Sequence, residues 1–379
     1  MKNKFVIVTH AVLSESSDIA GPAHTLASYL NKKGAEYIFI RHSLFESDQT
    51  LVSYRKNNKN REYKLNSFIK FGEIINRLLE GIRTIKVTLF FSKNLKPIYI
   101  GIDPLNGFWG LVLKKLGKIK TLITFTVDYS PQRFSNKILN SIYHFIDRVT
   151  LNEADEAWVV SKRIYDVRIK QGKNPKSLFF VPNAPSFNEV KYLIKKTADP
   201  LNVITIGTIS KALDFELIIR AIGTLVKKYP SIKLTIIGAG KGVEDLTSQI
   251  SKDGLEDNIF LTGRKSHKEV FQIISKHGIG IALYTDDASW SYYSDSMKAR
   301  DYLALGLPVI ISGNIGTTEE IKKNQAGVVI KRKKEELVTA IEDLIENQNL
   351  YKTLRKNAIN LARDNDIEVI LNKALAKYI

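Results

Sequence analysis

The chain alternates short, wholly apolar runs with helix-like segments, and it does so in two successive series. Apolar runs buried on both faces are typical of a mostly parallel sheet that helices cover on both sides. The pattern therefore predicts an α/β fold with two Rossmann-like domains and a cleft between them. The first series comprises KFVIVTH, YIFIRH, PIYIGID, TLITFTVD, EAWVVS and SLFFVPN, and the second comprises NVITIGT, KLTIIGAG, NIFLTG, GIGIALY, PVIIS and GVVI.

A polar segment with a Lys-Lys pair, residues 188–202, separates the two series, and we interpret it as the linker. The length of 379 residues suits two domains, because a single compact core rarely grows that large. We predict an N-terminal domain over 1–190 and a C-terminal domain over 191–355. A final helical segment over 356–379 is expected to pack back on the N-terminal domain.

Composition excludes several classes of site. No cysteine occurs, so disulfides, thiolate metal sites and a cysteine nucleophile are excluded, and a reducing compartment is indicated. The apolar runs are too short for a signal-peptide core or a membrane-spanning helix. The six histidines show no ligand spacing, and the acids at 286–287 and 364–366 are expected to be loop or cap residues. We therefore predict a cytoplasmic chain without a metal or other cofactor.

Positive charge is concentrated in the first half of the chain. The formal net charge is +18, from 57 Lys/Arg against 39 Asp/Glu. Eleven of these basic residues but only three of the acids lie within 55–96, which also carries a helical apolar pattern near 68–85. Such a region can rest on an anionic membrane surface, and the alternative is a solvated basic face. We predict peripheral contact with the inner face of the cell membrane through 55–96.

The segment that most suggests chemistry is YSDSMKARDYLALGLPVIIS, residues 293–312. A Ser-Asp-Ser loop opens a helix predicted at about 297–305, and the free N–H groups of a helix start suit a diphosphate. Lys298 in the first turn adds a full positive charge. Asp301, one turn later, can accept the hydroxyl hydrogens of a ribose. The alternative is that Lys298 and Asp301 form an exposed i,i+3 ion pair of little consequence.

This segment resembles the corresponding part of the retaining GT-B glycosyltransferases of the fourth sequence family, the glycosyl transferases of group 1. Many members carry a stretch like SPxKxxEYMAxGxPVI. The positions in register here are Ser296, Lys298, Asp301, Tyr302, Ala304, Gly306, Pro308, Val309 and Ile310. The resemblance implies the GT-B fold and a hexosyltransferase that moves a sugar from a nucleotide-diphosphate donor to a glycan or lipid-linked acceptor. The basic region 55–96 of the first domain favours a lipid-linked or cell-envelope acceptor or a growing surface polysaccharide, and so a role in cell-envelope or surface polysaccharide synthesis.

The resemblance also implies roles for individual residues. Lys298 is expected to stabilise the leaving diphosphate, and Asp128 to act as a positioning group or a base. No metal is needed, because fixed cations and a helix end stabilise the leaving charge. The donor-binding residues are expected to be Gly21, Gly207, Thr208, Lys211, Gly238, Gly240, Arg264, Tyr293, Ser294, Asp295, Ser296, Met297, Lys298 and Asp301. Further matching segments contain Asn183, Gly263 and the pair Glu319 and Glu320.

Some positions depart from the family pattern and leave alternatives open. Tyr293 stands where the family usually has the first of two glutamates, and Thr208 and Leu213 replace a usual Arg and Lys on the diphosphate. Lys211 is the nearest cation that could substitute. A catalytically degenerate binding protein of the same fold and a sugar-nucleotide epimerase therefore remain alternatives. No nucleic-acid partner is predicted, because no reading motif or basic stripe with stacking aromatics occurs.

Overall fold

The computed structural model describes residues 3–13, 21–44, 49–57, 59–66, 73–93, 95–210, 214–284, 291–313 and 315–379. The chain forms two compact units. Unit 1 comprises residues 1–181 and 368–379, and unit 2 comprises residues 182–367. The sequence predicts a domain boundary after residue 190, and in the structure the N-terminal stretch of unit 1 ends at residue 181. Of the predicted final segment, residues 368–379 group with unit 1.

Unit 1 is an α/β layer structure around one large sheet. Its elements are β1 (Lys4–Ala11), α1 (Pro22–Lys32), β2 (Glu36–Ser43), β3 (Gln49–Lys56), β4 (Lys59–Asn66), α2 (Glu73–Ser92), β5 (Ile98–Ile102), α3 (Pro104–Lys115), β6 (Thr121–Thr126), α4 (Lys137–Glu153), β7 (Glu156–Val159), α5 (Lys162–Lys170) and β8 (Leu178–Phe180). Residues Pro175–Ser177 form a 3-10 turn. The helix predicted near 68–85 is observed as α2 from Glu73 onward, and residues 68–72 lie outside the described residues.

The eight strands of unit 1 follow the order β4-β3-β2-β1-β5-β6-β7-β8. Neighbours are parallel except in the β2–β3 and β3–β4 pairs, which are antiparallel. The predicted strands β1, β5 and β6 are almost wholly buried, as their apolar sequences require. The β3–β4 hairpin was not predicted, because the edge strand β4 reads KNREYKLN and exposes nearly every side chain. Lysine and arginine on an edge strand discourage pairing with another chain.

Unit 2 repeats the same plan with a smaller sheet. Its elements are α6 (Phe187–Val190), β9 (Asn202–Ile206), α7 (Phe215–Val226), β10 (Lys233–Ile237), α8 (Val243–Lys252), β11 (Ile259–Leu261), α9 (His267–Ile274), β12 (Ile279–Ala282), α10 (Met297–Ala304), β13 (Val309–Ser312), α11 (Thr318–Lys323), β14 (Gly327–Ile330), α12 (Lys334–Glu346) and α13 (Gln348–Asp364). The last helix, α14 (Ile367–Leu375), continues into residues 368–379 of unit 1.

The sheet of unit 2 is wholly parallel in the order β11-β10-β9-β12-β13-β14. Two apolar clusters cover it, one built around α7 and α12 and the other around α10 and α13. The segment interpreted as a linker is partly ordered against this core. Phe187 and Val190 of α6 are buried in the second cluster, and a 3-10 turn follows at Lys191–Leu193. Their apolar side chains explain why this part of 188–202 packs on unit 2.

Candidate functional site

The winding of the unit 2 sheet reverses between two adjacent strands, β9 and β12. From β9 the chain passes through α7 to β10 on one side, whereas from β12 it passes through α10 to β13 on the other. Parallel α/β sheets bind ligands at the carboxyl ends of the strands beside such a switch point. The loop after β9 and the start of α10 both lie at this position, so the sequence motif and the topology indicate the same site.

Helix α10 begins with a well-bonded cap at Ser296. The Ser296 Oγ accepts a hydrogen bond from the Ala299 N–H at 3.2 Å and is 2.6 Å from the Tyr284 hydroxyl. The Ser296 backbone N–H donates a hydrogen bond to Thr317 Oγ1 at 2.7 Å. The N–H groups of Met297 and Lys298 occupy the first two helical positions and have no acceptor within the helix. The helix start therefore combines backbone donors with the positive end of the helix dipole.

Lys298 lies half-buried in the first turn of α10. Its Nζ lies 4.5 Å from the centroid of the Tyr284 ring, a cation–π arrangement. Burial lowers the pKa of Lys298 to about 7, because removal from water disfavours the ammonium form. An anion bound at the helix start would place a negative charge beside the Lys298 amine and would thereby raise its pKa. Lys298 is thus suited to become fully protonated when a phosphate binds.

Asp301 is buried one turn further along α10 and faces the start of α9. Its Oδ2 lies 3.4 Å from the Nε2 of His267. Burial raises the pKa of Asp301, although the hydrogen bond from His267 partly opposes this, and the same hydrogen bond raises the pKa of His267. Because Lys298 lies over Tyr284 while Asp301 contacts His267, the two residues turn to different partners. This arrangement differs from the exposed ion pair considered from the sequence.

A buried charge network holds the loop that leads into α10. The Asp295 carboxylate accepts hydrogen bonds from Arg300 Nη2 at 2.8 Å and from Thr317 Oγ1 at 2.7 Å. It also accepts one from the Asn183 N–H at 2.7 Å. Arg300 also contacts Glu320 of α11. Both Asp295 and Arg300 are almost completely buried. The carboxylate of Asp295, a predicted donor-binding residue, therefore bonds to other protein groups. Its contribution to the site is to fix the position of the helix start.

The predicted glycines at the strand ends are required by backbone packing. A Cβ at Gly238 would lie 2.0 Å from the Gly207 carbonyl oxygen, and one at Gly240 would lie 2.2 Å from the Ile209 carbonyl oxygen. Both distances are far below any real Cβ contact. The loops after β9 and β10 thus pack backbone against backbone, with the Ile209 N–H donating to the Ala239 carbonyl at 3.0 Å. Tight packing explains Gly238 and Gly240 without invoking a ligand.

The other predicted donor residues of unit 2 have varied surroundings. Thr208 and Arg264 are exposed, whereas Tyr293, Ser294 and Met297 are half-buried. The Ser294 carbonyl accepts the Gly316 N–H at 3.0 Å, which ties this loop to the approach to α11. Lys211, Leu213 and the acids at 286–287 lie outside the described residues.

In unit 1 the predicted residues lie at the carboxyl ends of strands or at a helix start. Gly21 precedes α1 in an extended conformation, and a Cβ there would meet open space. Asp128 is exposed after β6. Asp103, after the neighbouring strand β5, has a left-handed φ of 68°, which is rare for a residue other than glycine. Burial and the negative charge of Asp128 raise the pKa of Asp103 to about 7. Asp103 is therefore partly protonated near neutral pH.

Four residues that the sequence analysis did not single out for the site belong to it structurally: His267, Tyr284, Arg300 and Thr317. Asp103 is a fifth such residue, in unit 1. The only local signal was the Ser266–Glu269 capping box, which marks the start of α9 and thereby orients His267. The others depend on pairing between distant parts of the chain. Among the described residues, no group of three or more His, Asp or Glu side chains could hold a metal ion.

Comparisons with known proteins match this architecture. Residues 188–361 match the family model described as glycosyl transferases group 1. An uncharacterized glycosyltransferase of Haemophilus influenzae is 20% identical over 264 residues, which cover 65% of this chain and 66% of the relative, slightly less than two thirds of its length.

Solved structures resemble the chain over nearly its whole length. The E. coli trehalose-6-phosphate structure bound with UDP-2-fluoro glucose has a TM-score of 0.72 at 12% identity and covers 99% of this chain and 98% of that chain. Anabaena HepE in complex with UDP and glucose has a TM-score of 0.68 at 14% identity, with 99% and 98% coverage. These likenesses confirm the predicted GT-B fold.

Residues 188–361, slightly less than half of the chain, thus match the glycosyl transferases group 1 model, and the whole chain has a GT-B fold. The comparisons support the predicted enzyme class, a glycosyltransferase.

Proposed function

We propose that this glycosyltransferase moves a hexosyl group from a nucleoside-diphosphate donor bound by unit 2 to a glycan or lipid-linked acceptor. The observation that carries the proposal is the start of α10, where a helix end and the half-buried Lys298 stand beside the sheet switch point. UDP-containing complexes among the similar structures support a nucleotide-sugar donor. The buried Asp301 is the proposed acceptor for the ribose hydroxyl hydrogens, with His267 holding its second oxygen.

In the proposed mechanism, the chain assists the departure of the diphosphate. The bond from the anomeric carbon to the phosphate oxygen breaks while the α10 amides and Lys298 stabilise the developing charge. The acceptor oxygen bonds to the anomeric carbon on the same face, and the leaving phosphate takes the acceptor's proton, so that the configuration is retained. No metal takes part, because the helix end and the lysine supply the positive charge. Addition of EDTA should accordingly leave the rate unchanged.

The carboxylate pair of unit 1 is the proposed counterpart on the acceptor side. Asp128 is exposed and can position a sugar hydroxyl. Because the pKa of Asp103 is raised to about 7, its protonated form is available near neutral pH and can donate a hydrogen bond. We assign this pair a positioning role; a base role for Asp128 would instead favour inversion of configuration.

The acceptor is proposed to be part of cell-envelope or surface polysaccharide synthesis, at the inner face of the membrane. Unit 1 contains 31 Lys/Arg against 16 Asp/Glu, so it carries +15 of the net charge of +18. Within the basic region 55–96, β4 is exposed and α2 exposes Ile75, Leu78 and Ile82. This combination favours contact with an anionic lipid surface. Within the described residues, no helix is long and apolar enough to cross a bilayer.

Donor binding should weaken as pH rises above neutral. Free Lys298 has a pKa of about 7, and a bound diphosphate raises that pKa. The protonated form is fully available below pH 7 and is lost above it, so the Kd for UDP should rise by up to about tenfold per pH unit between pH 7 and 9. Isothermal titration calorimetry would measure this. Lys298→Arg should flatten the dependence, because a guanidinium stays charged. His267→Gln should preserve it, because this variant removes a neighbouring titratable group and leaves Lys298 in place.

A panel of nucleotide sugars tests the function directly. The purified chain would be screened for thermal stabilisation and for slow donor hydrolysis, and the anomer released from the best donor would be identified by NMR. The proposal predicts stabilisation and hydrolysis by at least one donor, with retained configuration. Stabilisation without any turnover, with or without added acceptors, would favour the degenerate binding protein. Interconversion of the free nucleotide sugar with its epimer would favour the epimerase.

A further inference from the structure

Helix α4 of unit 1 exposes three large apolar side chains along one face. Ile138, Ile142 and Phe145 are 73%, 50% and 69% exposed. Their spacing of four and then three residues places them side by side over two turns of the helix. Isolated exposed apolar residues are common, whereas a contiguous group of this kind indicates an interaction surface.

The orientation of α4 is fixed by polar contacts, so this face cannot turn inward. The Asn136 side chain caps the helix by accepting from the N–H groups of Ile138 and Leu139. On the opposite face, Asp147 forms a buried two-bond pair with Arg168, at 2.6 and 2.9 Å. Rotating the helix to bury the apolar group would break this pair and leave an uncompensated charge. The exposure of these three apolar side chains is therefore fixed by the fold.

Three exposed cations lie close to this face along the chain, and the one exposed acid of α4, Glu153, pairs with Lys115. Arg133, Lys137 and Arg148 are exposed beside the apolar group. The only acid between residues 129 and 152 is Asp147, whose charge is taken by Arg168. Unit 1 as a whole has the large positive excess given above. The complementary partner is thus a surface that offers both apolar volume and a dense layer of negative charge.

Helix α2 of the basic region 55–96 also exposes apolar side chains. Both α2 and α4 pack against α3. The approach of α2 to α3 is close, because a Cβ at Gly81 would fall within the ring of Trp109. The exposed Leu78 and Ile82 lie in the N-terminal half of α2, as Ile138 and Ile142 lie in the N-terminal half of α4. Helices joined to parallel strands run antiparallel to them, so the N-terminal halves of both helices lie at the same edge of the sheet.

We propose that the α4 face, defined by Lys137, Ile138, Ile142, Phe145 and Arg148, docks on an anionic lipid bilayer. The apolar side chains enter the boundary between headgroups and acyl chains, and the two cations face the lipid phosphates. This site is distinct from the basic region 55–96. It rests on the proposed function only in that a lipid-linked acceptor would give such docking a purpose.

Co-sedimentation of the full chain with vesicles tests the proposal. Vesicles of phosphatidylcholine with phosphatidylglycerol would be compared with phosphatidylcholine alone, at low and high salt. The chain should bind the anionic vesicles, and Ile142→Ser/Phe145→Ser should lower the partition coefficient by about tenfold or more. The matched control is Phe260→Ser, which removes an exposed aromatic of unit 2 and should change binding less than twofold. Unchanged thermal melting would show that each variant is folded.

Several outcomes would overturn the proposal. One is the absence of binding by the wild-type chain, and another is binding that Lys59→Glu/Arg61→Glu abolishes while the α4 variant retains it. A third is a dimer that the α4 variant dissociates without any effect on vesicles, which would identify a second copy as the occupant. Donor hydrolysis in solution is measured in parallel. Loss of vesicle binding with intact hydrolysis refutes only the docking surface, whereas absent hydrolysis in the wild type refutes the proposed function.

Discussion

Replacing Lys298 by alanine is expected to lower kcat/KM for the nucleotide sugar by about 10²–10³-fold, the usual cost of removing one group that stabilises developing negative charge. Lys298 supplies the full positive charge at the start of α10, where the remaining groups are backbone amides. Steady-state kinetics with the best donor of the panel would measure the loss. Calorimetry with UDP should show a parallel loss of affinity.

The matched control for this variant is Lys268→Ala. Lys268 is exposed on the neighbouring helix α9, so its loss should change kcat/KM less than threefold. Lys298→Arg keeps the charge but not the shape and should recover part of the activity. Wild-type activity in Lys298→Ala would refute the placement of the diphosphate at α10.

Replacing Arg300 by methionine is expected to reduce the free energy of unfolding by about 3–5 kcal/mol, because it leaves a buried carboxylate without its partner. The carboxylate is that of Asp295, which lies 2.8 Å from Arg300 Nη2. Chemical denaturation followed by circular dichroism would measure the change. Arg220→Met on the exposed side of α7 is the control and should change stability by less than about 0.5 kcal/mol.

The same variant separates two roles of the charge network. If the network only stabilises unit 2, Arg300→Met measured below its melting temperature should bind UDP as the wild type does. If it also sets the position of Ser296 and Lys298, donor affinity should fall even in the folded variant. The geometry favours the second outcome, since the same Thr317 hydroxyl that donates to Asp295 accepts the Ser296 N–H. A loss of stability below about 1 kcal/mol would contradict the assigned charge pairing.

Much of the fold could be predicted because its signals are local. Each buried parallel strand is a continuous apolar run, and the start of α10 is marked by Ser296 followed by helix formers. The β3–β4 hairpin escaped prediction because β4 is charged on both faces, so neither apolar periodicity nor propensity marks it. Helix α4 was missed too, although Asn136 caps it and its apolar residues recur at helical spacing.

The candidate site was predictable only in part, for a physical reason. Lys298 and Asp301 could be proposed because one helix turn brings them to the same strand end. The partners that hold them come from elsewhere: Asn183 lies 112 positions from Asp295. No local pattern encodes such pairings, which arise when separate loops pack. The glycines show a different difficulty. Gly238 and Gly240 were predicted as donor-binding residues, and close backbone contacts are enough to explain why glycine stands there.

Hydrogen–deuterium exchange of the full chain with and without UDP tests the central claim most directly, namely that the α10 start binds the diphosphate. The amides of Met297 and Lys298 lack intrahelical acceptors, so a bound phosphate should slow their exchange strongly. We predict added protection in peptides spanning 291–304, and its loss in Lys298→Ala at the same UDP concentration. Binding of UDP, proven by calorimetry, that leaves 291–304 unprotected while slowing exchange elsewhere would contradict the account.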